Sequence, residues 1–134
     1  AKGATFWRTE LRRLLDEARS HEAGGRYDEA LATWREVSHL QSDNAELIQH
    51  IRDLEGLIHD RFTEVEIERG HRLKCQRHYW RALIAYKRAL RSIGENDPRV
   101  GRLRELIATT SRSNTRIFAI YLLATALSVV AKAL

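Results

Sequence analysis

Residues 25–37, GRYDEALATWREV, and residues 77–89, RHYWRALIAYKRA, carry one spacing of large and small side chains. Tyr27 and Tyr79 stand near their starts, Ala30 and Ala82 follow three residues later, Trp34 and Tyr86 four residues after those, and Val37 and Ala89 close them. Twelve residues before each central alanine stands another small residue, Ala18 in one case and Gly70 in the other. Small residues let two helices cross closely, and a large ring packs above the crossing. The pattern predicts two pairs of packed helices, with the second helix of each pair in a quoted stretch.

Apolar residues at three- and four-residue intervals extend this reading in both directions. Phe6, Trp7, Leu11, Leu14, Leu15 and Ala18 form the inner face of a first helix, stopped at Gly24-Gly25. A second runs from about Tyr27 to Leu40. Asp43, with Glu46 three residues on, reads as a capping box for a third. Its stripe of Leu47, Ile51, Leu54, Ile58, Phe62 and Val65 carries on to about Lys74. A fourth covers Tyr79 to Ser92, before Gly94. Asp97-Pro98 then supplies an N-cap and a proline at the first helical position of a fifth, expected to end near Thr110. The expected fold class is all-α, an antiparallel bundle of about five helices.

The paired spacing resembles the tetratricopeptide repeat over roughly residues 10–110. The copies lie 52 residues apart, whereas that family repeats every 34 or so. The excess is about five whole helical turns, which fits inside the third helix without turning its inner face. One helix from about Asn44 to Lys74 is therefore expected, with Gly56 and Gly70 as its weak points; a break near His59-Asp60 is the alternative. The resemblance implies a concave groove, lined by the first helix of each pair, that receives an extended or helical peptide. By the alignment its residues are Arg12, Leu15, Arg19 and Glu22, then Glu64, Ile67, His71, Lys74 and Cys75. The asparagines of family members that clamp a peptide carboxylate are missing there, so a chaperone-tail receptor is not implied.

The 134 residues carry a net charge of +5 that divides unevenly. Residues 1–68 hold nine Lys/Arg against fifteen Asp/Glu, and residues 69–134 hold fourteen against three. Arg69, Arg72, Lys74, Arg77, Arg81, Lys87, Arg88 and Arg91 form a basic patch with no acid among them. Anionic lipid headgroups or an acidic protein segment suit such a patch. RNA would need aromatic stacking, but the repeat core already uses Tyr86 and Tyr79, so no nucleic acid is expected. A lone Cys75 excludes an intrachain disulfide. His71, Cys75 and His78 have the i, i+4, i+7 spacing of metal donors. Arg72, Lys74, Arg77 and Arg81 around them disfavour a cation, so neither a metal nor another cofactor is expected. No nucleophile-base pair, phosphate loop or paired carboxylates stand out, which argues against an enzyme.

Residues 117–134, IFAIYLLATALSVVAKAL, contain one charge, Lys132. As a helix they span about 27 Å, close to the ~30 Å hydrocarbon thickness of a bilayer. Ile117, Phe118, Ile120, Tyr121, Leu122, Leu123, Leu127, Val129 and Val130 supply the lipid-facing bulk, while Arg116 and Lys132 can snorkel to opposite interfaces. Ala124, Thr125, Ser128 and Ala131 form a small-residue stripe that another membrane helix could approach. Arg99, Arg102, Arg104, Arg112 and Arg116 precede the run and keep the N-terminal part cytoplasmic by the positive-inside rule. Ala1 to Trp7 lacks the apolar core of a signal peptide. The expected organisation is a tetratricopeptide-like domain over 1–110, a basic juxtamembrane linker over 111–116 and a transmembrane helix over 117–134.

Together these features predict a membrane-anchored adaptor or scaffold with protein partners, among them a membrane protein. The layout is similar to that of tail-anchored fission adaptors of the mitochondrial outer membrane. Nineteen Arg against four Lys instead favours the inner membrane of a GC-rich bacterium. Two other readings fit the same residues: a soluble module whose C-terminal helix closes the core or a dimer interface, and an RNA-binding protein.

Overall fold

The computed structural model describes residues 2–133, of the chain's 134. It holds five helices and, among the described residues, no strand: α1 (Lys2–Ala23), α2 (Tyr27–Leu40), α3 (Ala45–Cys75), α4 (Tyr79–Ser92) and α5 (Arg99–Ala133). Ala1 and Leu134, the outer ends of the expected domain and span, lie outside the described residues. The chain forms two compact units, one ending at His59 and the next beginning at Asp60. Helix α3 runs through this boundary without a break, so the six-helix alternative is not what forms.

In the first unit Leu14 and Ala18 of α1, Ala30, Trp34 and Val37 of α2, and Leu47 and Leu54 of α3 share one buried cluster. Ala18 and Ala30 are fully buried, and the Trp34 ring is part of the same cluster. The cap of α3 differs from the expected capping box at Asp43. The Asn44 side-chain oxygen accepts from the Leu47 backbone N–H (3.2 Å), which makes Asn44 the N-cap. Helix α1 also starts earlier than its first apolar residues indicated, at Lys2 rather than Phe6.

In the second unit Ala82, Tyr86 and Ala89 of α4 pack with Leu103 of α5, and Ile67 and Leu73 of α3 lie against them. A methyl group added at Gly70 would run into the Tyr86 ring, so the α3 backbone and that ring meet with no side chain between them. Phe62 and Val65, expected to extend the inner stripe of α3, are exposed. Thr63, Glu66 and Gly70 are buried in their place. The reason is local: Gly70 has to face Tyr86, and residues one turn before it share its face. Thr63 Oγ1 lies 2.7 Å from Ser92 Oγ, which meets the polar need of that position.

The turns that end α1 and α3 are built alike. Gly25 N–H donates to the Glu22 carbonyl and Arg26 N–H to that of His21; Arg77 N–H donates to Lys74 and His78 N–H to Leu73. Each is a Schellman closure with its pivot in the left-handed region, at φ 71° for Gly25 and 62° for Arg77. Glycine tolerates that conformation and arginine is strained in it.

Helix α5 departs from the expected division. Residues 111–116 do not interrupt it, and the helix that packs on α4 continues unbroken to Ala133. Neither Gly nor Pro occurs between Gly101 and Ala133. The hydroxyls of Thr109, Ser113 and Thr115 donate to helix carbonyls one turn back, so they are satisfied within the helix.

Two substitutions check this packing. Gly70→Ala should destabilise the chain by about 1–3 kcal/mol through overpacking, and should cost little in a Tyr86→Ala background, as thermal or denaturant unfolding of the three variants would show. Arg77→Gly should raise stability by about 1 kcal/mol, because only the strained pivot changes.

Candidate functional site

In the first unit α1 places Leu15, Arg19 and Glu22 along one wall of an open cleft, and Trp34, Val37, Leu47 and His50 line it from α2 and α3. Glu22 organises its polar part. The Trp34 indole N–H donates to Glu22 Oε2 (2.9 Å), and His50 Nε2 lies 3.1 Å from the same oxygen. The Trp34 and His50 rings meet edge to face with centroids 4.9 Å apart. Thus Leu15, Arg19 and Glu22 line one cleft, while the exposed Arg12 is not among the lining residues. Sequence reasoning missed His50, because an isolated histidine on a long helix carries no signal until Glu22 and Trp34 are brought to it.

In the second unit three of the residues assigned to a groove, Glu64, Ile67 and His71, are engaged in packing or pairing. Ile67 packs on the Tyr86 cluster. His71 Nδ1 lies 3.0 Å from the Tyr86 hydroxyl. Burial pushes the pKa of that hydroxyl up, with the nearby Cys75 adding to the effect. Glu64 accepts from Arg99 Nη1 (3.1 Å), and Asp60 accepts from Arg99 Nη2 (2.7 Å). Arg99 also donates to both carboxylate oxygens of Asp97, whose Oδ1 caps the Arg99 backbone N–H at 2.8 Å. One guanidinium therefore ties the start of α5 to the Asp60–Glu64 turn of α3. Lys74 is partly buried and Cys75 exposed. His78 caps α4, beyond the end of α3, so it leaves the helical face of His71 and Cys75. Among the described residues no group of three or more His, Cys, Asp or Glu is arranged to hold a metal ion.

The basic patch divides. Arg69 of α3 and Arg81 and Arg88 of α4 converge on a cleft of about 230 Å³, completed by Glu66, Leu73, Ile84 and Ala85. Arg72, Arg77, Lys87 and Arg91 are exposed outside it. Glu66 escaped the sequence reading because it lies within the acidic stretch that Glu68 ends, one helical turn from the basic run; only the Gly70 register turns it inward.

The apolar end of α5 forms a third feature. Its 18-residue apolar window, of mean hydropathy 1.6, is long enough to cross a membrane, and none of it is buried. Phe118, Ile120, Tyr121, Leu122, Leu123, Leu127, Val129 and Val130 are all more than half exposed. The small residues Ala124, Thr125, Ser128 and Ala131 are exposed as well, with the Thr125 hydroxyl turned back to the Tyr121 carbonyl. No family model, curated protein or solved structure matches this chain.

The Arg99 cluster makes a pH prediction. Its hydrogen bonds hold the Asp97 carboxyl down to about 2, from an ordinary 3.8. The folded chain binds this proton less readily than the unfolded one, so the stabilisation is complete above the ordinary value and is lost as pH falls toward about 2. Melting temperatures measured from pH 5 down to pH 2 should fall more steeply for the intact sequence than for Asp97→Asn.

Proposed function

We propose that the chain is a membrane-anchored helical adaptor, in which tetratricopeptide-like helix pairs are held at a bilayer by the C-terminal part of α5 and engage a protein partner. One observation carries the reading, that none of the apolar window of α5 is buried. Burying a large apolar side chain is worth about 1.5–3 kcal/mol. Eight such side chains left in water would therefore cost on the order of 10–20 kcal/mol, comparable to the whole stability of a domain. A core helix hides that surface within its own chain; this one does not, and a bilayer core of ~30 Å covers its length.

The repeat reading is supported by features that recur 52 residues apart in the sequence. These are the small residue and ring at each crossing, at Ala18 and Ala30 with Trp34 and at Gly70 with Tyr86, and the matched turns at Gly25 and Arg77. Orientation is argued from charge: Arg102, Arg104, Arg112 and Arg116 stand exposed before the apolar run and Lys132 near its end, which favours a cytoplasmic N-terminal part. Near the interface Arg112 and Arg116 would each gain roughly 1 kcal/mol from anionic headgroups. A bacterial inner membrane suits the arginine-rich composition.

The intact chain mixed with phosphatidylglycerol-containing liposomes should float with them and resist carbonate extraction. Leu123→Arg with Leu127→Arg, each adding about 2.5–3.5 kcal/mol at the centre of a span, should release it. A monomer fully soluble without detergent would contradict the anchor. A detergent-free dimer that the same substitutions dissociate would assign α5 to a subunit interface.

A further inference from the structure

The geometry points to the α3–α4 cleft of the second unit as a binding site for an acidic peptide segment of a partner protein: one carboxylate among Arg69, Arg81 and Arg88, with a backbone N–H of the same segment donating to Glu66. This rests on the adaptor reading for the ligand's being a protein, and it is independent of membrane insertion.

Glu66 and Arg69 are three residues apart on α3, and Arg81 and Arg88 are seven apart on α4, so each pair shares a face of its helix. Three guanidiniums therefore line a cleft with one carboxylate. Arg81 and Arg88 form no ion pair among the described residues, and Arg69 has a single long one, 3.6 Å to Glu66 Oε1. The sequence from Arg69 to Arg91 contains no acid that could neutralise them. The cleft is thus an anion site with two positive charges in excess.

Glu66 decides what kind of anion. Its side chain is only 7% exposed, and its Oε2 has no hydrogen-bond partner. A buried carboxylate oxygen left unpaired is costly, and a ligand that brings a donor removes that cost. A phosphodiester group offers acceptors only, so its own oxygens leave Glu66 Oε2 unpaired. A peptide carries a carboxylate and an N–H a few bonds apart, which matches guanidiniums and a carboxylate lining one cleft. The cleft volume of about 230 Å³ exceeds that of a single aspartate residue, so one fits with room for part of a neighbouring side chain. Leu73, Ile84 and Ala85 add an apolar wall that suits a neighbouring side chain of the same peptide.

The test uses the intact chain in nonionic detergent and a fluorescein-labelled octapeptide of alternating Asp and Leu, with the Asn/Leu peptide as reference. Anisotropy should show saturable binding of the acidic peptide alone. Arg81→Glu and Arg88→Glu should each weaken it at least tenfold, while Lys87→Glu and Arg91→Glu, with the same change in net charge, should alter it less than threefold; unchanged circular-dichroism melts would establish that all four variants fold. Glu66→Leu should also weaken binding, whereas a purely coulombic site would bind more tightly once that carboxylate is gone. The proposal is overturned by an absence of saturable binding, by equal effects of all four charge reversals, or by tighter binding to Glu66→Leu. Competition by inorganic phosphate or by phosphatidylglycerol in mixed micelles as effective as that of unlabelled peptide would overturn the peptide assignment. Liposome flotation is untouched by any of these results, so failure here and failure of the anchor are distinguishable.

Discussion

At Gly70 the α3 backbone and the Tyr86 ring come so close that even a methyl group has no room between them. That contact brings α4 onto α3, and the register of both helices follows from it. It turns Thr63 and Glu66 of α3 inward, sets Phe62 and Val65 outward, and leaves Ala82 and Ala89 beside the ring in the core. It also brings Arg69 and Arg81 to one cleft with Arg88. The first unit meets the same need with Ala18 and Ala30 beside Trp34, where the indole N–H reaches on to Glu22.

Helix α5 joins a packed part and an uncovered apolar part in one unbroken helix. Its first turns are held by Arg99, which draws in Asp97 from the preceding loop and Asp60 and Glu64 from α3, and by Leu103 in the buried cluster. Its later turns present apolar side chains that none of the described residues buries. Because the helix does not break over residues 111–116, no flexible tether separates the packed part from the apolar part. At ~1.5 Å per residue the 35 residues of α5 extend about 52 Å. An anchor of this kind would hold the second unit at a set distance from the bilayer, with the basic cleft exposed for a partner.

Much of the architecture was legible in the residues themselves. The Gly24-Gly25 pair, the Asp97-Pro98 start and the aromatic-alanine spacing located α2, α4 and the start of α5, since those signals act through the local backbone. The continuous α3 was legible as well, because five extra turns preserve a helical face. What escaped was set by competition or by tertiary approach. Asn44 outcompeted the neighbouring Asp43 as a cap. The basic linker expected over residues 111–116 is helical, with the Ser113 and Thr115 hydroxyls bonded to carbonyls one turn back. His50 and Glu66 acquired partners and burial only when distant helices met, and no single-helix pattern marks them. The repeat alignment placed Glu64 in a groove, and nothing in its own helix announces its pairing with Arg99.

The central claim is that the later part of α5 lies in a bilayer while its earlier part packs in water, along one unbroken helix. Spin-label accessibility scanned from residue 104 to residue 133 of the liposome-bound chain, with Cys75 replaced by serine so that each label is unique, tests this most directly. Oxygen accessibility should rise to a maximum near Leu123 to Leu127 and fall toward Lys132, while a water-soluble relaxant should reach Arg112 and Arg116 but not Leu123. A helical period should persist across residues 111–116. Water access throughout residues 117–133, or loss of the helical period before Arg116, would contradict the account.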